Sequence, residues 1–134
     1  MEFDEQINTD YKILRISAPS LSLQNDEDGQ VTVHCSLSAT RASYMARIWK
    51  STLLKDNDSN HTSKLIAVYG ISVYPNWTEI EFGTTLNFTL LFSSLPKSCL
   101  TFDLIEQVVG TGSFYSPKIM RNNNDVYYLD FSDL

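Results

Sequence analysis

Alternation of apolar and polar residues is the strongest pattern in the chain. In LNFTLLF, Leu86, Phe88, Leu90 and Phe92 share one side, with Asn87 and Thr89 on the other. In LTFDLIE, Leu100, Phe102 and Leu104 share a side, with Thr101 and Asp103 opposite. A period of two marks strands with one face on a core. Residues 86–106 therefore predict two buried strands joined by a proline-bearing loop, Ser93 to Cys99. Glu106 is the one charge at an inward position of the second strand. It is expected at the strand's end, within reach of solvent.

The same rule places other strands. Val31 to Ser38 puts Val31, Val33, Cys35 and Leu37 inward and Thr32, His34, Ser36 and Ser38 outward. Leu65 to Tyr69 is apolar throughout, as in a strand near the centre of a sheet. Gly70 marks a bend or bulge before Ile71 to Tyr74. Tyr11 to Ile16 reads as a first strand, Glu79 to Phe82 as a short one, and Val126 to Phe131 as the last; Ile119 and Met120 are expected to pair briefly. NDEDGQ, KDNDSNHTS and RNNND are turns or loops, rich in residues that tolerate turn backbones. Residues 41–54 are ambiguous. Tyr44, Met45, Ile48, Trp49 and Leu53 fall at helical spacing, whereas the surrounding pattern and IWKSTLL favour a strand at about 46–54. The sum is seven to eight short strands: an all-β, immunoglobulin-like antiparallel β-sandwich over 11–134, after a polar lead-in at 1–10.

Composition narrows the function classes. A length of 134 residues suits one domain. The net charge of −6, with scattered Lys and Arg, argues against nucleic acid, which needs a basic stripe. No apolar run reaches the roughly 18 residues of a transmembrane segment. The acidic start MEFDEQINTDYK is not a signal peptide. That leaves a cytoplasmic protein, or a secreted or periplasmic one whose leader has been removed. Cys35 lies on an apolar strand face and reads as a reduced core residue; Cys99 shares parity with Thr101 and Asp103, so no bridge between the two is expected.

The run F-T-L-L-F-x-x-L-P-x-x-x-x-x-F-D-L-I-E, Phe88 to Glu106, resembles a strand-loop-strand signature of immunoglobulin-like β-sandwich domains from Bacteroidota. WKSTLLKD at Trp49 to Asp56 and GISV at Gly70 to Val73 accompany it. The chain is similar, more broadly, to the antigen-like class of small exported bacterial sandwich domains. The resemblance implies the fold and carries no catalytic motif, so no site residue follows from it.

Chemistry is sparse. His34 and His61 stand without HExxH or a cysteine pair, so zinc has no support. NDEDG, and Asp56-x-Asp58-x-Asn60, both lack the closing carboxylate of an EF-hand. There is no G-x-S-x-G elbow for a nucleophile, and Gly110-Thr111-Gly112 precedes no helix. Glu79 and Glu81 share a face but read as a solvated strand exterior rather than a glycosidase pair. The sequons at Asn57, Asn60, Asn76 and Asn87 read as coincidence. Aromatic residues remain. Tyr74 and Trp77 flank Pro75-Asn76, and Tyr44 lies in the ambiguous segment. An aromatic beside polar residues can anchor a partner or stack on a sugar, or simply cap the sandwich. The expected function is a non-catalytic binding or accessory module without cofactor, its partner a protein of a larger envelope, secreted or phage assembly. The alternative is a carbohydrate-binding module using Trp77, Tyr74 and Tyr44.

Overall fold

The computed structural model describes residues 29–106 and 113–132. The expected strand at 11–16, the lead-in at 1–10, most of NDEDGQ and Gly110-Thr111-Gly112 lie outside them.

Among the described residues nine strands follow in order: β1 Val31–Ser38, β2 Tyr44–Ala46, β3 Leu53–Asp56, β4 Thr62–Tyr69, β5 Thr78–Ile80, β6 Thr85–Phe92, β7 Thr101–Ile105, β8 Tyr115–Met120 and β9 Val126–Ser132. Seven form one sheet in the order β8-β7-β3-β4-β6-β1-β9, and β2 and β5 form a separate ribbon. The all-β sandwich holds, in a barrel-like form. The sheet is mixed rather than wholly antiparallel, because β9 runs parallel to β1.

The two edge strands of the large sheet are consecutive in the chain, so the sheet must curl until its edges approach. Aromatic contacts across the interior show the closure. Tyr127 of β9 meets Phe102 of β7 edge-on at 5.0 Å. Phe114, just before β8, meets Phe131 of β9 at 5.1 Å and Phe88 of β6 at 5.7 Å. Such pairs add about 0.5–1.5 kcal/mol each beyond their area burial.

The central pair follows the alternation closely. β1 and β6 align Val33 with Leu90 and Cys35 with Phe88, and these four side chains are buried. At Gly70 the chain turns with φ +92°, and a Cβ there would stand 2.9 Å from the Asn87 carbonyl oxygen. Only glycine allows β4 to leave β6 this closely.

Several expectations need correction. Residues 41–54 contain no helix, but they form two short strands, β2 and β3, rather than one. Leu100 is 69% exposed and Cys99 is buried, the reverse of the expected parity. The cause is the strand's start: β7 begins at Thr101, after a turn closed by Cys99 N–H donating to the Pro96 carbonyl at 3.0 Å. Asp56 ends β3 fully buried instead of opening a solvated loop. Its carboxylate accepts from Asp58 N at 2.9 Å and Ser59 Oγ at 2.7 Å, capping its own turn. Burial works to raise its pKa, but these bonds and His61 outweigh it and hold the group below the usual value. Both cysteines are free and buried, and burial pushes Cys35 up to about 12.

Candidate binding site

The β2-β5 ribbon and the segments beyond it gather one group of exposed aromatics, Tyr74 and Trp77. The register pairs Tyr44 with Ile80, Met45 with Glu79 and Ala46 with Thr78. Side chains two apart share a face. Ile80 and Ala46 are buried, so Met45 and Glu79 face solvent. One step further in the same register, Arg47 meets Trp77, and its guanidinium carbon stands 3.7 Å from that ring's centroid.

The chain then alternates again. Ile48 is buried and bridges Val73, with Ile48 N donating to the Ser72 carbonyl and Tyr74 N to the Ile48 carbonyl, both at 2.9 Å. Arg47, Trp49 and Tyr74 therefore turn outward around one buried anchor. Trp49 and Tyr74 stack with centroids 3.9 Å apart and planes 16° from parallel. Arg47 also lies 4.5 Å from the Tyr74 centroid and 5.4 Å from that of Trp49. One cation thus touches three aromatic rings, in contacts worth about 0.5–1 kcal/mol each at exposed sites.

The turn below is closely tied. The Tyr74–Pro75 peptide is cis, and Arg47 Nη1 donates to the Pro75 carbonyl at 3.2 Å. Ser72 N donates to Thr78 Oγ1 at 2.9 Å, and Thr78 Oγ1 donates to Ser72 Oγ at 2.7 Å. Trp77 remains 51% exposed and Tyr74 45%, so neither caps the sandwich.

Glu106 supports the cluster from beneath, and the expectation that it reaches solvent is overturned. It is 5% exposed. Its Oε2 accepts from Trp49 N at 2.9 Å and its Oε1 from Phe114 N at 3.1 Å. Burial pushes its carboxyl above the usual range, against the opposing pull of those two N–H groups and the Arg47 charge. The Thr52 hydroxyl also lies within its electrostatic reach, though outside hydrogen-bond geometry. The end of the 86–106 stretch thus fixes the backbone that carries Trp49.

Of the three candidate aromatics, the structure brings Trp77 and Tyr74 together and leaves Tyr44 apart. Tyr44 packs half-buried against the core, its hydroxyl donating to the Ser38 carbonyl at 3.3 Å. The alternation marked neither Arg47 nor Trp49 as a site residue, and it placed Glu106 inward without linking it to them. The out-in-out order of Arg47-Ile48-Trp49 was the available signal, masked by the helical spacing of Tyr44, Ile48 and Trp49. No known protein family, characterised protein or solved structure matches the chain.

Proposed function

We propose that this domain is a non-catalytic protein-binding module whose contact surface is the face formed by Met45, Arg47, Trp49, Tyr74 and Trp77. The observation that carries this reading is the half-exposed Trp77, held in place by a guanidinium rather than by core packing. Tryptophan, tyrosine, methionine and arginine are the residue types enriched at protein interfaces and their hot spots. Rigid aromatics lose little side-chain freedom on binding, which preserves affinity. Glu79 and Glu81 are exposed beside this face. The partner it fits is a protein with an apolar centre and a basic rim, as in a larger envelope, secreted or phage assembly. The resemblance of Phe88 to Glu106 to exported bacterial sandwich domains agrees with such a setting.

The geometry favours protein over sugar at this end. A sugar platform needs ring faces open side by side. Here Trp49 and Tyr74 cover one another, and Arg47 covers a face of Trp77.

A photoreactive phenylalanine analogue at position 45, in cells of the source, tests the reading. The control position is 120, also exposed but on β8. A discrete covalent protein adduct from position 45 alone is expected, weakened by high salt. The proposal fails if position 45 gives no adduct or the same adducts as position 120.

A further inference from the structure

A concavity lies away from the ribbon, on the outer face of β4, β6, β1 and β9. It is an open groove of about 710 Å³. The strand register arranges its side chains in two rows. Tyr69 pairs with Thr89, Thr89 with His34, and His34 with Tyr128, so these four side chains cross four strands in line. Asn87 pairs with Ser36 and Ser36 with Asp130, forming the adjacent row. Rows on one face stand about 7 Å apart and neighbouring strands about 4.8 Å. Beyond Tyr69, Gly70 turns the chain away and leaves the Asn87 end of the second row open.

The chemistry of the rows is specific. His34 Nδ1 and Thr89 Oγ1 share a hydrogen bond of 2.8 Å. The His34 ring stacks on Tyr128, with centroids 5.1 Å apart and planes at 28°. Tyr128 is 77% exposed at the sheet edge, and on the other side of His34 the small Thr89 leaves a gap up to Tyr69. Ser36 Oγ donates to Asp130 Oδ1, which fixes that carboxylate and leaves Oδ2 as an acceptor. The Asn87 amide offers both donor and acceptor. One row is therefore flanked by aromatic rings, and the other carries a hydroxyl between an amide and a carboxylate.

We infer that this groove is a binding site for one pyranose unit of a neutral carbohydrate. The apolar C–H face of a sugar ring fits between the Tyr69 ring and the His34–Tyr128 stack, and its hydroxyls fit a carboxylate that accepts and an amide that both accepts and donates. Among the described residues that line the groove there is no lysine or arginine, and Asp130 together with the net charge of −6 repels anions. Phosphorylated and sulfated ligands are thereby disfavoured. The inference is independent of the protein-binding face, which shares no residue with the groove.

The test is NMR titration of the full chain with the methyl glycosides of glucose, galactose, mannose and N-acetylglucosamine, and with inorganic phosphate. At least one glycoside should shift the signals of His34, Asn87 and Tyr128 saturably and leave Trp77 unmoved. Tyr128→Ala should weaken that binding at least tenfold, and Asn87→Ala about as much. Trp77→Ala should leave it unchanged. Tyr128 and Asn87 are exposed, so these variants fold. The inference is overturned by no saturable shift with any glycoside, by full affinity in Tyr128→Ala, or by phosphate as the only ligand that binds.

Discussion

Two arginines hold two parts of this molecule in opposite ways. Arg121 is saturated. It pairs side-on with Asp125, Nε to Oδ1 at 2.6 Å and Nη2 to Oδ2 at 3.0 Å. It also donates to the carbonyls of Pro96 at 2.7 Å and Cys99 at 3.2 Å, closing the 93–99 loop against the β8-β9 turn. Tyr127 adds its hydroxyl to Asp125 at 2.8 Å. Arg47 has one hydrogen bond to a carbonyl and lies otherwise on three rings. A guanidinium surrounded by oxygens is committed to the fold. A guanidinium resting on exposed rings keeps N–H groups and ring edges available to a partner. The comparison separates a structural cluster from an interacting one, although both are rich in the same residue types.

The largest effect should fall on the saturated side. Arg121→Ala removes one partner of a pair whose side chains are only 16% and 14% exposed. It also strands the Asp125 carboxylate and frees the loop carbonyls. A loss of about 3 kcal/mol is expected, the lower end of the range for breaking a buried pair. Asp125→Asn keeps the positive φ of 55° that asparagine tolerates. It should cost roughly half as much, because it removes only charge-assisted bonding. Urea denaturation measures both. A loss under about 1 kcal/mol for Arg121→Ala would show that its bonds are incidental.

Next comes the carboxylate beneath the open cluster. Glu106→Gln keeps the shape but sets an amide NH2 against one of two backbone N–H groups. A cost of about 1–2 kcal/mol is expected for that lost acceptor. The pH dependence is more telling. Glu106 is raised above its ordinary 4.5, so the folded state holds its proton more tightly than the unfolded one. Its contribution is complete below pH 4.5 and is lost as pH rises through the folded value. Asp56 is lowered below 3.8, so its contribution is present above that pH and is lost as pH falls through the folded value. Glu106→Gln should flatten the stability profile above pH 4.5 and leave the acid limb. Asp56→Asn should do the reverse. Thermal melts between pH 2.5 and 7 check both, and an unchanged slope above pH 4.5 in Glu106→Gln would contradict the raised pKa.

What the sequence revealed depended on whether one strand's own alternation carried the information. Val31 to Ser38 was fully legible, because each inward side chain meets an inward partner of β6. Leu100 and Cys99 were misread because parity was extended one turn too far, into residues whose backbone a local hydrogen bond sets. Tyr74 and Trp77 were legible as loop aromatics, because proline and asparagine lie between them, but the same pattern fitted a cap on the sandwich end, which their exposure overturns. Arg47 and Glu106 were not legible as partners of the cluster. Glu106 and Trp49 are 57 positions apart, and their bond depends on how β7 lies against the segment after β2. Only the packed fold brings that carboxylate under that peptide. The groove on the outer face has the same origin: His34 and Tyr128 face outward on their own strands, and only the parallel register of β1 and β9 makes them neighbours.

The smallest change in stability should come from Arg47, and it decides the comparison. Its ring contacts lie at the surface, where each contributes at most about 1 kcal/mol and the three are not additive. Arg47→Ala should therefore lower stability by no more than about 1 kcal/mol, a Tm change of about 4 °C or less. Its local effect should be larger. Trp77 loses the cation over its face, so acrylamide should quench tryptophan fluorescence more strongly than in the parent. Arg47→Lys should resemble Arg47→Ala in quenching, since an ammonium lacks the planar surface that stacks on rings. Partner capture through position 45 should fall at least tenfold in both variants. If instead Arg47→Ala destabilises the fold as much as Arg121→Ala, the two arginines are doing the same structural job. The exposed cluster would then be a brace for the 72–78 turn, and the case for a protein partner at that face would lose its foundation.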